Sequence, residues 1–135
     1  MENFWGNFMT GTEPITELEP LRSYLLVKRE TTEEQPFGPE ALVFKVMGKM
    51  FALVAWQERP LSISLKCDPH LAEMLRTTYA AVRPGYHMNK RHWNTVTLDG
   101  SISEGEIKEM IDASYALVVK GLKKSDRERL AQGDG

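Results

Sequence analysis

The sequence is poor in cysteine and has no long hydrophobic run. Its only cysteine, Cys67, excludes an internal disulfide framework and suits a reducing compartment. The longest apolar stretches, such as residues 116–122, are far shorter than the roughly 18 to 20 residues that a membrane span requires. Residues 1–8 have neither a basic region nor a continuous apolar run of the kind that marks a signal peptide. We therefore expect a soluble, cytoplasmic protein with no membrane association.

The chain also lacks a marked excess of either charge. Its 17 basic and 19 acidic residues give a net charge of −2, so the protein as a whole does not attract polyanions, and any nucleic-acid binding must be local. With 135 residues, of which 41% are hydrophobic, the chain fits one globular domain that buries about two thirds of its unfolded surface.

Motifs of known catalytic sites are missing as well. The sequence contains no GxSxG, Walker, GxGxxG, HExxH or CxxC pattern, so we expect neither an enzyme nor a bound cofactor. Cys67, Asp68 and His70 lie close enough in sequence for a nucleophile group or a metal pair. The structural interpretation is favoured, because Cys67 continues the inward alternation of a strand, Asp68 suits a helix cap and His70 is then a surface residue.

The elements that are present indicate an α+β fold. A first helix is predicted from Glu19, with Pro20 at its first position, followed by a polar connection over residues 30–35. Residues 41–56 predict a hairpin that turns at Met47 and Gly48, with a central second strand. Residues 61–67 alternate, which predicts a strand with one buried face and one wet face that carries Ser62, Ser64 and Lys66.

The second half begins with a strong helix start at Asp68 and Pro69, and Leu71, Met74, Leu75 and Tyr79 share one face of that helix. Residues 94–98 alternate as a strand, Asp99 and Gly100 supply a turn, and Ser103 with Glu106 predicts the capped start of a long final helix. The order α-β-β-β-α-β-α favours a single α+β domain with helices against one face of an antiparallel sheet.

One segment combines positive charge with aromatic side chains. No acidic residue lies between Glu73 and Asp99, and the segment contains the residues Arg76, Arg83, Tyr86, His87, Lys90, Arg91, His92 and Trp93. Arginine and lysine supply the phosphate contacts that dominate nucleic-acid affinity, and an aromatic ring can stack on a base. A basic connection also occurs for solubility alone, with Pro84 and Gly85 marking a turn, so the residues leave both interpretations open.

The two histidines of this segment raise two further possibilities. No carboxylate or thiolate lies near His87 and His92 in the sequence, so a zinc site is not expected. Asn89 is a candidate turn former that reverses the chain in the left-handed conformation. An enzyme built around His87, Asn89 and His92 stays open as an alternative, although no complete set of acid, base and nucleophile is recognisable.

Five segments of the chain resemble the bacterial MmcQ/YjbR family. They are residues 36–53, SLKCDPHLAEMLR at 64–76, RPGYHMNKRHW at 83–93, NTVTLDGS at 94–101 and residues 111–122. The resemblance implies a family domain over residues 15–125, preceded by an N-terminal extension over 1–14 and followed by a charged tail over 126–135. Proteins of this family have been proposed to bind DNA through a double-wing arrangement of hairpins.

The resemblance also implies a set of DNA-contacting positions. Six of them match the family segment and a seventh, Lys66, is added from its own strand pattern: Lys66, Arg83, His87, Lys90, Arg91, His92 and Trp93. We therefore expect a non-enzymatic DNA-binding protein of modest affinity, without sequence-specific readout.

The alternative function is a protein-interaction module. The α+β layout resembles type III secretion chaperones, which bind partner polypeptides, and Phe4, Trp5 and Phe8 are large apolar groups that could dock on a sheet or on another subunit. A small-ligand binder is a further alternative. We expect a monomer, although the sequence leaves the oligomeric state open.

Overall fold

A six-stranded antiparallel sheet with strand order β1-β2-β3-β4-β6-β5 carries the fold. The structure is a computed structural model that describes residues 15–85 and 88–132. Its elements are α1 (Leu18–Leu26), β1 (Thr31–Glu34), β2 (Leu42–Val46), β3 (Lys49–Ala55), β4 (Ser62–Lys66), α2 (Pro69–Thr78), β5 (Val82–Pro84), β6 (Trp93–Thr97), α3 (Glu104–Lys120) and α4 (Lys124–Gln132). The predicted α+β class, with helices against one face of an antiparallel sheet, is confirmed.

The core lies between this sheet and the helices. Alternate strand residues face the helices, and the register aligns Val54, Ile63 and Val96 in one buried row across three strands. Both α1 and α3 bury an apolar face against the sheet, including Leu21 and Ile111. Among the described helices, none is long and apolar enough to cross a membrane.

The predicted hairpin at Met47 and Gly48 is confirmed. It joins β2 to β3 through a two-residue turn in which both residues have positive φ, 51° and 84°, as a type I′ turn requires. A bulge interrupts the pairing of β2 with β3 after Phe44. The predicted central position of β3 is confirmed as well, since β2 and β4 flank it.

A buried serine of α3 completes the hydrogen bonding of the sheet where regular pairing stops. The Ser114 hydroxyl donates to the Phe51 carbonyl at 2.6 Å and accepts from the Lys66 amide at 2.9 Å. Phe51 directly precedes Ala52, the first residue of β3 that pairs with β4. Since Ser114 is fully buried, its hydroxyl provides two backbone groups with partners that water does not supply.

Two strands are absent from the predicted order. The polar segment over residues 30–35 contains β1, an edge strand in which Glu33 binds Arg22 at 2.5 Å and Glu34 binds Lys45 at 3.0 Å. Its side chains alternate only between half-buried and exposed, so it lacks the apolar alternation of an interior strand. The second missed strand, β5, has three residues and lies at the other edge.

The sequence predicts that Ser62 and Ser64 of β4 face solvent, and this prediction is wrong. Ser62 and Ser64 are buried, because β3 and β6 flank both residues within the sheet and their side chains are short. Ser64 forms a hydrogen bond with Thr95 at 2.8 Å, and the Ser62 hydroxyl donates to Glu58 at 3.1 Å. Lys66 is half-buried.

Helix boundaries differ slightly from the prediction at both ends of the chain. Helix α1 begins at Leu18 after the N-cap Glu17, so Pro20 is the third helical residue and not the first; a missing N–H is tolerated there too. The charged C-terminal segment is largely helical. Helix α3 ends before Gly121, and α4 then begins at Lys124 and buries Leu130.

The helix start at Asp68 and Pro69 is confirmed, since the Asp68 carboxylate accepts hydrogen bonds from the amides of His70 and Leu71 at 3.1 and 3.2 Å. Ser103 caps α3 through the Glu106 amide at 3.2 Å, whereas the Glu106 carboxylate accepts from the Tyr79 hydroxyl and does not close the reciprocal capping box.

Candidate nucleic-acid interface

A basic loop, residues 85–92, connects β5 to β6, and within it residues 86 and 87 lie outside the described residues. Backbone hydrogen bonds close its base: the Gly85 amide donates to Trp93 at 2.8 Å, and the Cys67 amide donates to His92 at 2.7 Å. The Asn89 side chain accepts from the Arg91 amide at 2.9 Å. Asn89 therefore forms a turn as predicted, but with a negative φ and not in the left-handed conformation.

Arg76 attaches this loop to α2. Its Nε donates to the Asn94 side chain at 2.7 Å, and its Nη2 donates to the carbonyls of Lys90 and Trp93. Asn94 is buried and donates in turn to the Ala72 carbonyl at 3.3 Å. The Arg76 guanidinium therefore holds the basic loop against α2 and also carries a positive charge. The sequence did not predict this role, because the acceptors lie 14 to 18 residues further along the chain.

Gly85 allows the loop to approach β6 closely. A Cβ atom at this position would lie 2.8 Å from the Trp93 Cβ and 3.1 Å from the Trp93 carbonyl oxygen. Contacts this short do not occur without movement of the backbone, so a larger residue would displace the start of the loop.

Two of the predicted residues meet in one surface cleft. This basic cleft has a volume of about 390 Å³, and its lining residues are Pro69, His70, Glu73, Arg76, Lys90 and Arg91. Lys90 and Arg91 come from the basic loop, and the other four residues come from α2. Arg76 thus joins the predicted cations Lys90 and Arg91, whereas Glu73 adds one opposing charge.

Within this cleft the cationic groups are held to different degrees. The Lys90 ammonium donates to the Gly85 carbonyl at 3.0 Å, so one of its three hydrogens is used. Arg91 is exposed, and its guanidinium has no partner among residues 15–85 and 88–132. Arg91 is therefore the cation most available to a ligand.

The other predicted residues lie outside this cleft. Arg83 is exposed on the edge strand β5 and donates to Thr97 at 2.5 Å. Lys66 pairs with Trp93 across the sheet, but it also lines a cleft between α2 and α3 that contains Glu106 and Glu109. His92 is half-buried, and His87 lies outside the described residues.

An apolar cavity lies on the helix-free face of the sheet, which is the face opposite α1, α2 and α3. Its volume is about 540 Å³, and its lining residues are Phe37, Ala41, Met50, Leu53, Met88, Asn89 and Trp93. Phe37 is 67% exposed although it is aromatic. Sequence reasoning found Trp93 but missed Phe37, which lies in a connection between strands and is about 56 residues away from Trp93 along the chain.

The group at Cys67, Asp68 and His70 is structural in its geometry. Cys67 is buried, and burial, together with the neighbouring Asp68 carboxylate, raises the pKa of its thiol against the opposing effect of Arg76. Asp68 is used as the cap of α2, and His70 is exposed. In the described part of the chain no three His, Cys, Asp or Glu residues are grouped so that they could hold a metal ion.

Comparison with known proteins places the chain in a family. The sequence model of the YjbR family matches residues 26–117. The uncharacterized protein YbdF of Escherichia coli O157:H7 is 43% identical over 98 residues, covering 73% of this chain and 80% of YbdF. The uncharacterized protein YjbR of Escherichia coli K12 is 37% identical over 115 residues, covering 85% of this chain and 98% of YjbR.

Solved structures agree with this relationship. The crystal structure of the Deinococcus radiodurans protein DR2400 superposes with a TM-score of 0.83 at 41% sequence identity, covering 88% of this chain and 91% of that protein. Because the family match spans most of the chain and these relatives are similar along nearly their whole length, the chain belongs to the YjbR family, as its sequence motifs predict.

Proposed function

We propose that this protein binds DNA through phosphate contacts made by the basic cleft, and that it acts by binding and not by catalysis. The observation that carries the proposal is the convergence of Arg76, Lys90 and Arg91 on one cleft from two separate segments of the chain. Phosphate contacts of this kind supply most of the affinity of proteins that bind nucleic acid without regard to sequence.

Support also comes from the way in which the cations are held. Arg76 and Lys90 donate to backbone carbonyls, which fixes their positions and keeps their charge. Both side chains retain further hydrogens for a phosphate oxygen. A cation that is already ordered loses less conformational entropy when a ligand binds, so part of the penalty for association is absent.

The hairpins provide the elements for a double-wing arrangement. One is β2–β3, with its tight turn at Met47 and Gly48, and the other is β5–β6, whose connection is the basic loop. As proposed, the second hairpin makes the main phosphate contacts, with Arg83 as a further cation on β5. The net charge of −2 and Glu73 in the cleft keep the affinity modest.

The proposal is tested by fluorescence anisotropy of labelled DNA at 50 and 200 mM salt. Three phosphate contacts imply a log–log salt slope of about −2.7 and therefore binding that is roughly 40-fold weaker at the higher salt concentration. The variant Lys90→Glu/Arg91→Glu is expected to abolish the binding. Absence of binding by the parent protein at 50 mM salt would sink the proposal.

A matched control separates this site from a general effect of charge. Lys123→Glu/Lys124→Glu makes the same change in net charge at exposed residues near the start of α4, and it is expected to keep most of the affinity. The single variant Arg91→Glu is the control for displacement of the loop. Because the Arg91 side chain has no partner in the described chain, its substitution should leave the loop in place. Equal losses in the loop variant and the α4 variant would contradict the assignment to the basic cleft.

A second candidate function is the binding of a partner polypeptide between α2 and α3. The observation that favours it is the exposure of Leu71 and Met74, at 40% and 63%, on the helix that borders a cleft of about 290 Å³. Leu75 and Met110 line this cleft, with Glu106 and Glu109 beside them. Oligomers that persist in Lys90→Glu/Arg91→Glu but dissociate in Leu71→Asp, as measured by sedimentation, would favour this candidate.

A further inference from the structure

We infer that the apolar cavity on the helix-free face receives an unpaired nucleobase, so that the preferred ligand is single-stranded nucleic acid. The inference rests on the proposed function, because the loop that supplies Lys90 and Arg91 to the basic cleft also lines this cavity through Met88 and Asn89. It adds the class of ligand and a second set of contacts that carries no charge.

The composition of the cavity fits a flat, apolar group. Two aromatic residues, Phe37 and Trp93, line it from different segments of the chain, and Met50, Leu53 and Met88 add aliphatic surface. Stacking of bases on exposed aromatic side chains is the usual way in which single strands are held, because every base offers a π-face. The volume of about 540 Å³ is large enough for one base with room for its sugar.

The loop that carries Phe37 is held in place without the help of this ring. The Trp56 indole donates to the Pro39 carbonyl at 2.7 Å, and the Gly38 amide donates to Gln35 at 3.4 Å. Phe37 is thus presented on an anchored connection although two thirds of its surface meets water. A large exposed apolar residue on such a loop is typical of a contact surface.

Charge is distributed unevenly around the cavity, and this favours a polyanion that enters from one side. Lys66 pairs with Trp93 across the sheet, and Lys90 and Arg91 directly follow Asn89 in the basic loop. Glu34 and Glu40 each lie three residues from Phe37 along the chain, and Glu34 is paired with Lys45. A strand whose phosphates follow the cationic side can insert a base between them and Phe37 without bringing phosphate to the carboxylates.

This arrangement disfavours duplex DNA at the cavity. The bases of a duplex are paired and stacked, and turning one of them outward costs a few kcal/mol that a single strand does not lose. The cavity therefore selects unpaired nucleotides, whereas the basic cleft alone does not distinguish the two forms.

The experiment compares two labelled strands of 20 nucleotides, oligo(dT) and an abasic strand with the same number of phosphates, at 50 mM salt. The parent protein is expected to bind oligo(dT) about tenfold more tightly. In Phe37→Ala this preference disappears while the affinity for the abasic strand is unchanged. Val27→Ala, which truncates another exposed apolar side chain at the end of α1, is expected to keep the preference.

The outcomes separate this inference from the proposed function. Equal binding of the two strands by the parent, or tighter binding of a 20-base-pair duplex, would overturn the cavity assignment, while a salt-sensitive affinity that Arg91→Glu lowers would uphold the phosphate contacts. Absence of binding to all three ligands overturns both. If Phe37→Ala keeps the preference but changes the sedimentation of the protein, the cavity is an interface between two copies and the inference fails.

Discussion

The two faces of the sheet are built differently, although the same strands supply both. On the helix-covered face, Phe44, Val54 and Ile63 are fully buried in a continuous apolar core. On the helix-free face, Leu53 is only half-buried, and the buried Ser64 shares a hydrogen bond with Thr95. One face thus provides most of the apolar burial that stabilises the fold, whereas the other combines buried residues, such as Val43 and Ser64, with partly exposed apolar ones.

This contrast separates stability from binding in a way that experiments can test. Substitutions on the helix-covered face should lower the free energy of unfolding, since they remove buried surface or buried hydrogen bonds. Substitutions of exposed side chains on the helix-free face and at the basic loop should leave most of the stability intact and change the affinity for a ligand. The predictions below test this division, beginning with the largest expected effect.

Two phenylalanines provide the clearest comparison. Phe44 is fully buried and Phe37 is 67% exposed, so the same change, Phe→Ala, has different consequences. Phe44→Ala should lower the free energy of unfolding by about 3–5 kcal/mol, because it removes a large side chain and leaves a cavity. Phe37→Ala should change it by less than about 0.5 kcal/mol. Urea denaturation of both variants measures the difference, and similar losses would refute the division between the faces.

Two serines test whether buried hydrogen bonds on the two faces of the sheet also contribute differently to stability. Ser114→Ala leaves the Phe51 carbonyl and the Lys66 amide without their partner in a fully buried position, so we expect a loss of about 2–3 kcal/mol. Ser64→Ala removes one bond to a hydroxyl that can rotate, and a loss of about 1 kcal/mol or less is expected. Chemical denaturation is again the measurement; a Ser114 variant as stable as the Ser64 variant would contradict the bridging role.

Local signals explain which parts of the fold were predictable. The turn at Met47 and Gly48 and the helix start at Asp68 depend on residues adjacent in sequence, and both are confirmed. The edge strand β1 escaped prediction, because a strand with solvent on one side does not need the alternating apolar residues that identify interior strands. The burial of Ser62 and Ser64 follows from the strands on either side of them and not from their own polarity.

The candidate site was predictable only where it depends on local composition. The absence of acidic residues identifies the basic segment, so Lys90 and Arg91 could be chosen from the sequence. The contribution of Arg76 to the loop and the proximity of Phe37 to Trp93 both depend on contacts between distant segments. Spacing along the chain carries no information about such contacts until the strand order is known.

The close approach of the basic loop to β6 gives the next prediction. Gly85→Ala would bring a Cβ atom against Trp93, and we expect a loss of about 1–2 kcal/mol as the loop shifts, together with weaker DNA binding. Gly105→Ala is the matched control, because its Cβ would meet nothing within 4 Å in the first turn of α3 and alanine favours the helix. Thermal denaturation and anisotropy test both variants. Unchanged DNA affinity in Gly85→Ala would show that binding does not depend on the position of the loop.

The smallest predicted effect concerns the outer rim of the helix layer, where polar contacts join α1 to α3. The Asp112 carboxylate accepts from Lys28 at 2.5 Å and from the Tyr24 hydroxyl at 2.7 Å. Partial burial opposes its charge, but the hydrogen bonds from Lys28 and Tyr24 outweigh this effect and lower the pKa of Asp112. Burial, followed by the bond to Asp112, raises the pKa of Tyr24 to about 12.

Asp112→Asn should therefore lower stability at pH 7 by less than about 1 kcal/mol, since the Asp112 carboxylate is about half exposed and solvent screens its charge. Below a pH of about 4 the unfolded chain binds the proton more readily than the folded one, so the contribution of Asp112 is lost as the pH falls through its lowered pKa. The difference in the free energy of unfolding between the parent and Asp112→Asn should therefore be present at pH 7 and approach zero toward pH 3. Glu109→Gln on the same helix is the control, and a difference that persists undiminished in acid would mean that Asp112 acts through packing and not through its charge.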